Sequence, residues 1–178
     1  LCDVRQLDRH CERLVWLREI CDERAAHVAT KSQPDRLPEG SVPELEGANL
    51  LLLANIGAKT FVRMGTSGAM QEFTRVGDKV IARGAVRYEG TSVQYMPIEF
   101  PAVASHDMVT ALVNSASDAK LNYHTGIVQS KDSFYGQHSP EDMPIASELL
   151  QKWDAWIKGG VLCSEMEAAT LFVVGSYR

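Results

Sequence analysis

One stretch of the sequence has the composition of an anion-binding turn. Arg63 stands two residues before the small-residue run Gly65–Gly68, and strand-forming residues precede both. Glycines allow a ligand to approach the backbone closely, N–H groups and the Thr66 hydroxyl can donate hydrogen bonds, and the guanidinium is a planar donor that matches phosphate. The run lacks the Gly-Lys-Ser/Thr ending of a P-loop. The residues by themselves indicate either a phosphate site or a simple turn.

A second group contains two carboxylates near the end of the chain. Glu165 and Glu167 flank Met166 where a predicted strand gives way to a predicted helix. Carboxylates at such a junction can accept hydrogen bonds from sugar hydroxyls, and a methionine offers polarizable apolar surface beside them. The spacing of Ser164 and Glu167 is equally that of a capping box, in which Glu167 only satisfies the start of a helix. The residues leave both interpretations open.

A third group lies in a polar loop with adjacent aromatic residues. Phe134 and Tyr135 can stack on a heterocycle, and Gln137 presents both a donor and an acceptor to a complementary ring edge. The aromatic pair can equally fill a core. We interpret His138 as a surface histidine.

The elements that must position these groups alternate between helix and strand. All three groups follow segments with the apolar pattern of strands, so we expect them at strand ends. The pattern predicts helices over 48–56, 105–119 and 145–158 and from about 164, and strands over 60–64, 79–86, 123–130 and 161–163. This order predicts an α/β fold with a largely buried sheet.

Composition narrows the function classes. The chain has 178 residues, 45% hydrophobic and 23% charged, which is typical of a globular domain. Its net charge of −5 argues against nucleic-acid and anionic-membrane partners. The longest aliphatic run, Leu50–Ala54, is far short of a membrane span, and no signal peptide is recognisable, so we expect a cytoplasmic protein.

The first 50 residues differ in composition from the remainder. They contain three of the four cysteines (Cys2, Cys11 and Cys21, with Cys163 later) and six arginines. No CxxC pair occurs, which favours reduced thiols over a zinc site. Apolar spacing over 4–28 predicts one long amphipathic helix, and the prolines of 32–47 predict an irregular linker. We therefore predict two segments, an atypical helical segment and linker at 1–50 and a domain at 51–178.

Four ordered blocks carry a family resemblance. Phe61–Ala69, Pro97–Ala102, Lys131–Gln137 and Ser164–Ala169 together resemble the uridine phosphorylases of the nucleoside phosphorylase family. The resemblance covers about 54–178. It implies a three-layer α/β fold with a mixed sheet, in a homo-oligomer that is a hexamer of dimers in the family. It also implies reversible phosphorolysis of a nucleoside, uridine first, to free base and ribose 1-phosphate, with inorganic phosphate as co-substrate and neither cofactor nor metal.

The resemblance also assigns residues to subsites. It implies that Arg63 positions phosphate as the nucleophile, Glu167 holds the ribose hydroxyls, and Gln137 stabilises the departing base. Arg63 and Glu167 are thus the expected catalytic residues. The resemblance implies that Arg63 and Thr66 bind phosphate and that Phe134 and Gln137 bind the base. It implies that the ribose is bound by Thr66, Glu165, Met166 and Glu167.

The sequence also departs from the family pattern. Ser139 stands where pyrimidine-specific members usually have an arginine, which leaves purine nucleosides as alternative substrates. The family's N-terminal Gly-Asp-Pro motif, its second phosphate arginine and its last strand and helix have no counterpart here. We therefore expect a domain truncated at both ends, in which out-of-frame translation or rearrangement replaced the authentic N-terminal part. An inactive remnant that only binds nucleoside or oligomerises is the alternative to an active enzyme.

Overall fold

The computed structural model describes residues 42–177. Its helices are α1 (Val42–Asn55), α2 (Ser92–Tyr95), α3 (His106–Asp118), α4 (Tyr135–His138), α5 (Ala146–Lys158) and α6 (Ala168–Ser176), with a 3-10 turn at Pro140–Asp142. Its strands are β1 (Gly68–Ala69), β2 (Lys79–Tyr88), β3 (Ala102–Val103), β4 (Tyr123–Lys131) and β5 (Cys163–Glu165). They form one sheet in the order β1-β5-β4-β2-β3. The predicted α/β class is confirmed.

The sheet is mixed, with a parallel centre and antiparallel edges. β4 runs parallel to both β2 and β5, whereas β1 and β3 pair antiparallel at the two edges. The long central strands were predicted correctly, because both are rich in β-branched and apolar residues. A register shift at Ala82/Gly84 inserts Arg83 as a bulge. Gly84 is required there, since a Cβ would lie 3.0 Å from the carbonyl oxygen of Ala102 on β3.

The core lies between the sheet and α6, which is apolar on nearly every side. Ala169, Val173 and Val174 are almost completely buried, and α6 packs on β2, β3 and α1. Val128 of β4 and Cys163 of β5 continue this core beneath the helix. Such an all-round apolar helix is stable only when other elements enclose it. The last helix is therefore the element around which the described part of the chain packs.

The start of the described region differs from the predicted linker. α1 begins at Val42, so the last residues of the segment predicted as irregular are helical. Pro43 is compatible with this because a first-turn residue needs no N–H donor. Gly57, with φ of 103°, follows the end of the helix as predicted. The predicted helix over 4–28 and the rest of the linker lie outside the described residues, and the division at residue 50 stays a prediction.

Two other predicted elements were wrong in their bounds. The segment 60–64 alternates between exposed and half-buried residues, but it forms no ladder; in this region Gly68–Ala69 pairs, with β5. A strand needs a hydrogen-bonding neighbour, and none lies beside 60–64 within the described part of the chain. At the other end, pairing with β4 extends β5 to Glu165. Helix α6 consequently begins at Ala168 rather than near Ser164.

One arginine organises the connection between β2 and β3. Arg87 donates from Nε to Ser92 Oγ at 2.9 Å, from Nη2 to the carbonyl of Met96 at 2.8 Å, and from Nη1 to that of Pro97 at 2.6 Å. It also donates to the carbonyl of Phe100. These bonds satisfy backbone groups of a loop that has little regular structure. The rigid, planar shape of the guanidinium allows one side chain to reach all of them.

No helix within residues 42–177 combines the length and apolar character that crossing a bilayer requires.

We expect Arg87→Lys to lower the free energy of unfolding by about 2 kcal/mol, because a single ammonium cannot replace the divergent donors of a guanidinium. Urea denaturation measures the change. Arg83→Lys is the matched control, since Arg83 lies on the same strand and is exposed. Equal stabilities of the two variants would show that the Arg87 contacts are not what holds this loop.

Candidate active site

The three candidate groups meet at the edge of the sheet that is formed by the carboxyl ends of β4 and β5. β4 and β5 are parallel neighbours, so the loops that follow them leave from the same edge. Ser130 pairs with Glu165 there. The turn before β1 joins them because β1 pairs with β5, with Gly68 opposite Ser164. Residues separated by about 100 positions in the sequence are thereby brought into contact.

Arg63 contacts both carboxylates of the second group. Its Nη2 lies 2.5 Å from Glu167 Oε2, and its Nη1 lies 3.9 Å from Glu165 Oε2. The side chain of Arg63 is 25% exposed, whereas those of Glu165 and Glu167 are 8% and 9% exposed. Two nearly buried carboxylates therefore share one guanidinium that still reaches solvent. Such a group has charge, donors and access for an anion.

Gly65 makes room for that guanidinium. A Cβ at this position would lie 2.5 Å from Arg63 Nη1 and 2.9 Å from Nη2. A side chain at position 65 would therefore push the head of Arg63 away from the carboxylates. The glycine next to the arginine is thus a steric requirement of the site and more than a feature of a flexible turn.

Glu165 is held from several directions. Its Oε2 accepts hydrogen bonds from the backbone N–H of Glu167 at 2.9 Å and of Ala168 at 2.8 Å, and its Oε1 accepts from Ser130 Oγ. Glu165 thus satisfies the first N–H groups of α6, where negative charge is favourable. The capping box that the sequence allowed does not form, because Ser164 belongs to β5 and does not cap α6.

Glu167 is held differently. Its Oε2 accepts from the N–H of Met166 at 3.2 Å in addition to the ion pair with Arg63. Glu167 thus pairs with a partly exposed guanidinium, whereas Glu165 is bonded by the backbone at the start of α6 and by the hydroxyl of Ser130. Met166, beside both, is half-buried. Glu167 is the carboxylate closer to Arg63, and the partly exposed guanidinium of Arg63 can contact a ligand as well.

Gln137 reaches the same edge from α4. Its Oε1 lies 2.6 Å from Ser164 Oγ. Its Nε2 lies 3.7 Å from the position that a Cβ of Gly68 would occupy, so the amide also touches the small-residue turn. The predicted base residue therefore adjoins both the carboxylate strand and the turn that follows Arg63.

Phe134 does not fill the core. It is 45% exposed, and its ring lies 4.0 Å from that of His138 and 5.7 Å from that of Tyr135. The alternative in which this aromatic pair plugs the interior is therefore wrong. Thr66 is exposed as well, close to Arg63 in the chain. Both are on the accessible side, where a ligand can reach them.

Two cavities flank this edge. One, of about 660 Å³, is lined by Arg63, Thr66 and Glu165 together with apolar residues of α3 and α6. The other, of about 460 Å³, is lined by Gln137 and Lys131, with Trp153 and Trp156 of α5 on its far wall. Arg63 and Thr66 thus line one cavity, and Gln137 lines the other.

Local sequence patterns did not single out Gln129 and Lys131, which lie with Ser164 beneath Gln137. Gln129, Lys131 and Ser164 are buried and hydrogen-bonded to one another. A signal was present, since Gln129 and Lys131 are two residues apart at the end of a predicted strand and therefore share one face of it. Their meeting with Ser164 depends on the register of a neighbouring strand.

Cys163 is unsuited to nucleophilic chemistry. It is a free, buried cysteine, and burial raises the pKa of its thiol to about 12 despite an opposing hydrogen bond from Ser67. A thiol is reactive as its thiolate, which is scarce at neutral pH under these conditions. Within residues 42–177, no cluster of three or more His, Cys, Asp or Glu side chains is placed to hold a metal ion.

The sequence was compared with known proteins. The profile of the phosphorylase superfamily matches residues 42–178. The uridine phosphorylase of Treponema pallidum (strain Nichols) is 54% identical over 126 residues, 71% of this chain and 49% of that protein. The uridine phosphorylase of Thermococcus kodakarensis is 44% identical over 126 residues, 70% of this chain and 46% of that protein.

A relative named for a purine nucleoside also matches. The guanosine phosphorylase of Halorubrum lacusprofundi is 40% identical over 122 residues, 68% of this chain and 46% of that protein. The chain spans about half the length of the curated relatives it matches. Because the family profile matches most of the chain and the matched segment contains the Arg63, Gln137 and Glu165–Glu167 blocks, this chain belongs to the phosphorylase superfamily.

Proposed function

We propose that the chain carries the site of a nucleoside phosphorylase that acts on uridine. The observation that carries the proposal is the contact of Arg63 with Glu167, 2.5 Å apart, at the sheet edge where Gln137 also lies. An anion-binding group then contacts a pair of carboxylates, and an amide able to contact a base bonds to Ser164, the residue before Glu165. The uridine phosphorylases similar to this chain support uridine as the substrate.

The proposed reaction distributes charge in a way that suits these residues. An oxygen of inorganic phosphate attacks the anomeric carbon as the bond from that carbon to the base nitrogen breaks, which yields ribose 1-phosphate and the free base. Positive charge develops on the sugar, and the departing base takes the electron pair of the broken bond. Groups already oriented toward these charges lower the barrier without reorganising.

The local geometry supports each proposed role. Arg63 offers several N–H donors, so it can hold phosphate while keeping contact with Glu167. Glu167 and Glu165 accept hydrogen bonds from ribose hydroxyls and stabilise positive charge on the sugar. Gln137 contacts the base, and exposed Phe134 provides an aromatic face beside it. We further propose inorganic phosphate as the only co-substrate, in a homo-oligomer in the cytoplasm.

Guanosine or another purine nucleoside is the second candidate substrate. Its support is the guanosine phosphorylase similar to this chain. Gln137 can pair with the N–H and carbonyl edge of guanine as well as with that of uracil. A binding-only remnant is distinguished from both by the absence of phosphate-dependent turnover in a folded chain.

We expect the purified chain to release uracil from uridine only when phosphate is present, and Arg63→Ala to reduce kcat/KM for phosphate about 10- to 100-fold by removing a charge-assisted contact. Release is followed by ultraviolet absorbance, with guanosine assayed in parallel. Arg75→Ala is the control, since Arg75 is an exposed arginine of the next turn. Folded protein without turnover on either nucleoside would contradict the enzyme assignment.

We expect Gly65→Ala to reduce kcat/KM for phosphate about tenfold with little change in melting temperature, because the new Cβ displaces the flexible head of Arg63 and leaves the core untouched. Gly90→Ala is the control, since Gly90 is exposed and a Cβ there makes only an ordinary contact, 3.4 Å from Asp132 Oδ2. Steady-state kinetics and thermal denaturation are measured on both variants. A Gly65→Ala variant with normal phosphate kinetics would show that Arg63 does not act from the observed position.

A further inference from the structure

The hydroxyl of Ser164 is the centre of a buried polar cluster beneath Gln137. Lys131 Nζ lies 2.6 Å from Ser164 Oγ, Gln129 Oε1 lies 2.5 Å from it, and Gln137 Oε1 lies 2.6 Å from it. Gln129, Lys131 and Ser164 are 1%, 6% and 2% exposed. At these distances the buried groups are hydrogen-bonded, so each bond must join one donor to one acceptor.

Counting protons on this hydroxyl constrains its neighbours. A serine hydroxyl has one proton to donate and two lone pairs, whereas a lysine ammonium can only donate. Lys131 therefore occupies one lone pair of Ser164. The proton can go to the oxygen of one glutamine alone, so the other glutamine must turn its NH2 group toward Ser164. The two amides consequently have opposite orientations.

Three members of the cluster lie on paired strands of the sheet. Gln129 is the register partner of Ser164 across the parallel β4–β5 ladder, and Lys131 is two residues farther on β4, on the same side of the strand. Gln137 belongs to α4, a helix of one turn in the following loop. It is therefore the member whose amide depends on the others for its orientation.

We propose that Lys131, acting through Ser164, is a positioning residue that fixes the amide orientation of Gln137. Lys131 donates a hydrogen bond to Ser164, and Gln129 turns its NH2 group toward Ser164 and donates to the remaining lone pair. Ser164 donates its own proton to Gln137 Oε1. We call this chain of hydrogen bonds from Lys131 through Ser164 to Gln137 the relay. Hydrogen bonds that run in one direction strengthen one another, so the buried ammonium reinforces the bond to Gln137.

This orientation selects a class of base, and that consequence rests on the proposed function. Gln137 Oε1 keeps one lone pair, and Nε2 keeps its protons, for a ligand in the cavity that Lys131 and Gln137 line. The amide then accepts from a ring N–H and donates to the adjacent carbonyl, as in uracil or guanine. A base with an unprotonated ring nitrogen beside an amino group, such as cytosine, presents the opposite order and is rejected.

The first test does not require activity. Side-chain NH2 signals of Gln129 and Gln137 are assigned in the 15N-labelled full chain with Gln129→Glu and Gln137→Glu. We expect Lys131→Met and Ser164→Ala each to shift the Gln137 signal. Lys120→Met is the matched control, since Lys120 is exposed at the end of α3, and it leaves that signal unchanged.

The second test measures base selection as the ratio of kcat/KM for uridine to that for cytidine. We expect Lys131→Met and Ser164→Ala each to lower this ratio about tenfold, the loss of roughly one well-placed hydrogen bond. The double variant should lose no more than either single variant, because both interrupt one relay. Lys131→Arg restores most of the ratio.

The two tests distinguish a failure of the proposed function from a failure of the proposed role of Lys131. A folded chain without turnover would overturn the proposed function, and the Gln137 signal would still decide the relay. An unshifted Gln137 signal in Ser164→Ala overturns the proposal, as do additive losses in the double variant. If Lys131→Met does not fold, Ser164→Ala and Lys131→Arg decide, because the first removes the bridge and the second preserves the charge.

Discussion

The register between β4 and β5 is the constraint on which the site depends. Only three residue pairs join these strands, yet they place Gln129 beside Ser164 and Ser130 beside Glu165. A slip of one residue would turn every β5 side chain to the opposite face, moving Cys163 out of the core and Ser164 into it. Buried backbone groups that must find partners oppose such a slip. Three short ladder contacts thus decide which polar groups can meet.

The burial of charge is the second constraint, and the two glutamates meet it with different partners. Placing two carboxylates close together in a largely buried region is unfavourable unless each has compensating partners. Glu165 is compensated by the N–H groups that begin α6 and by Ser130, whereas Glu167 is compensated by Arg63. Because Arg63 remains partly exposed, an anion can join it without uncovering an unpaired buried charge.

The sequence predicted those elements whose stability is local or fully enclosed. The long strands β2 and β4 and the helices α3 and α5 were found within a few residues, since apolar periodicity persists over many positions in each. The segment 60–64 was predicted as a strand from the same kind of pattern. It does not pair, because a ladder depends on a neighbour that no local pattern reveals. The start of α6 was misplaced for a related reason, since Glu165 rather than Ser164 satisfies its first turn.

The sequence by itself determined which chemical groups are available and that they follow strands: a guanidinium beside a small-residue turn, two carboxylates, and an amide next to an aromatic pair. Their types and order were also sufficient to indicate the family. The tertiary structure decided which of these groups touch, and it added Gln129 and Lys131, which local patterns did not single out. The physical reason is distance along the chain. The contact of Arg63 with Glu167, like that of Lys131 with Ser164, exists only because sheet pairing and helix packing bring remote residues together, and such pairing is a property of the whole fold.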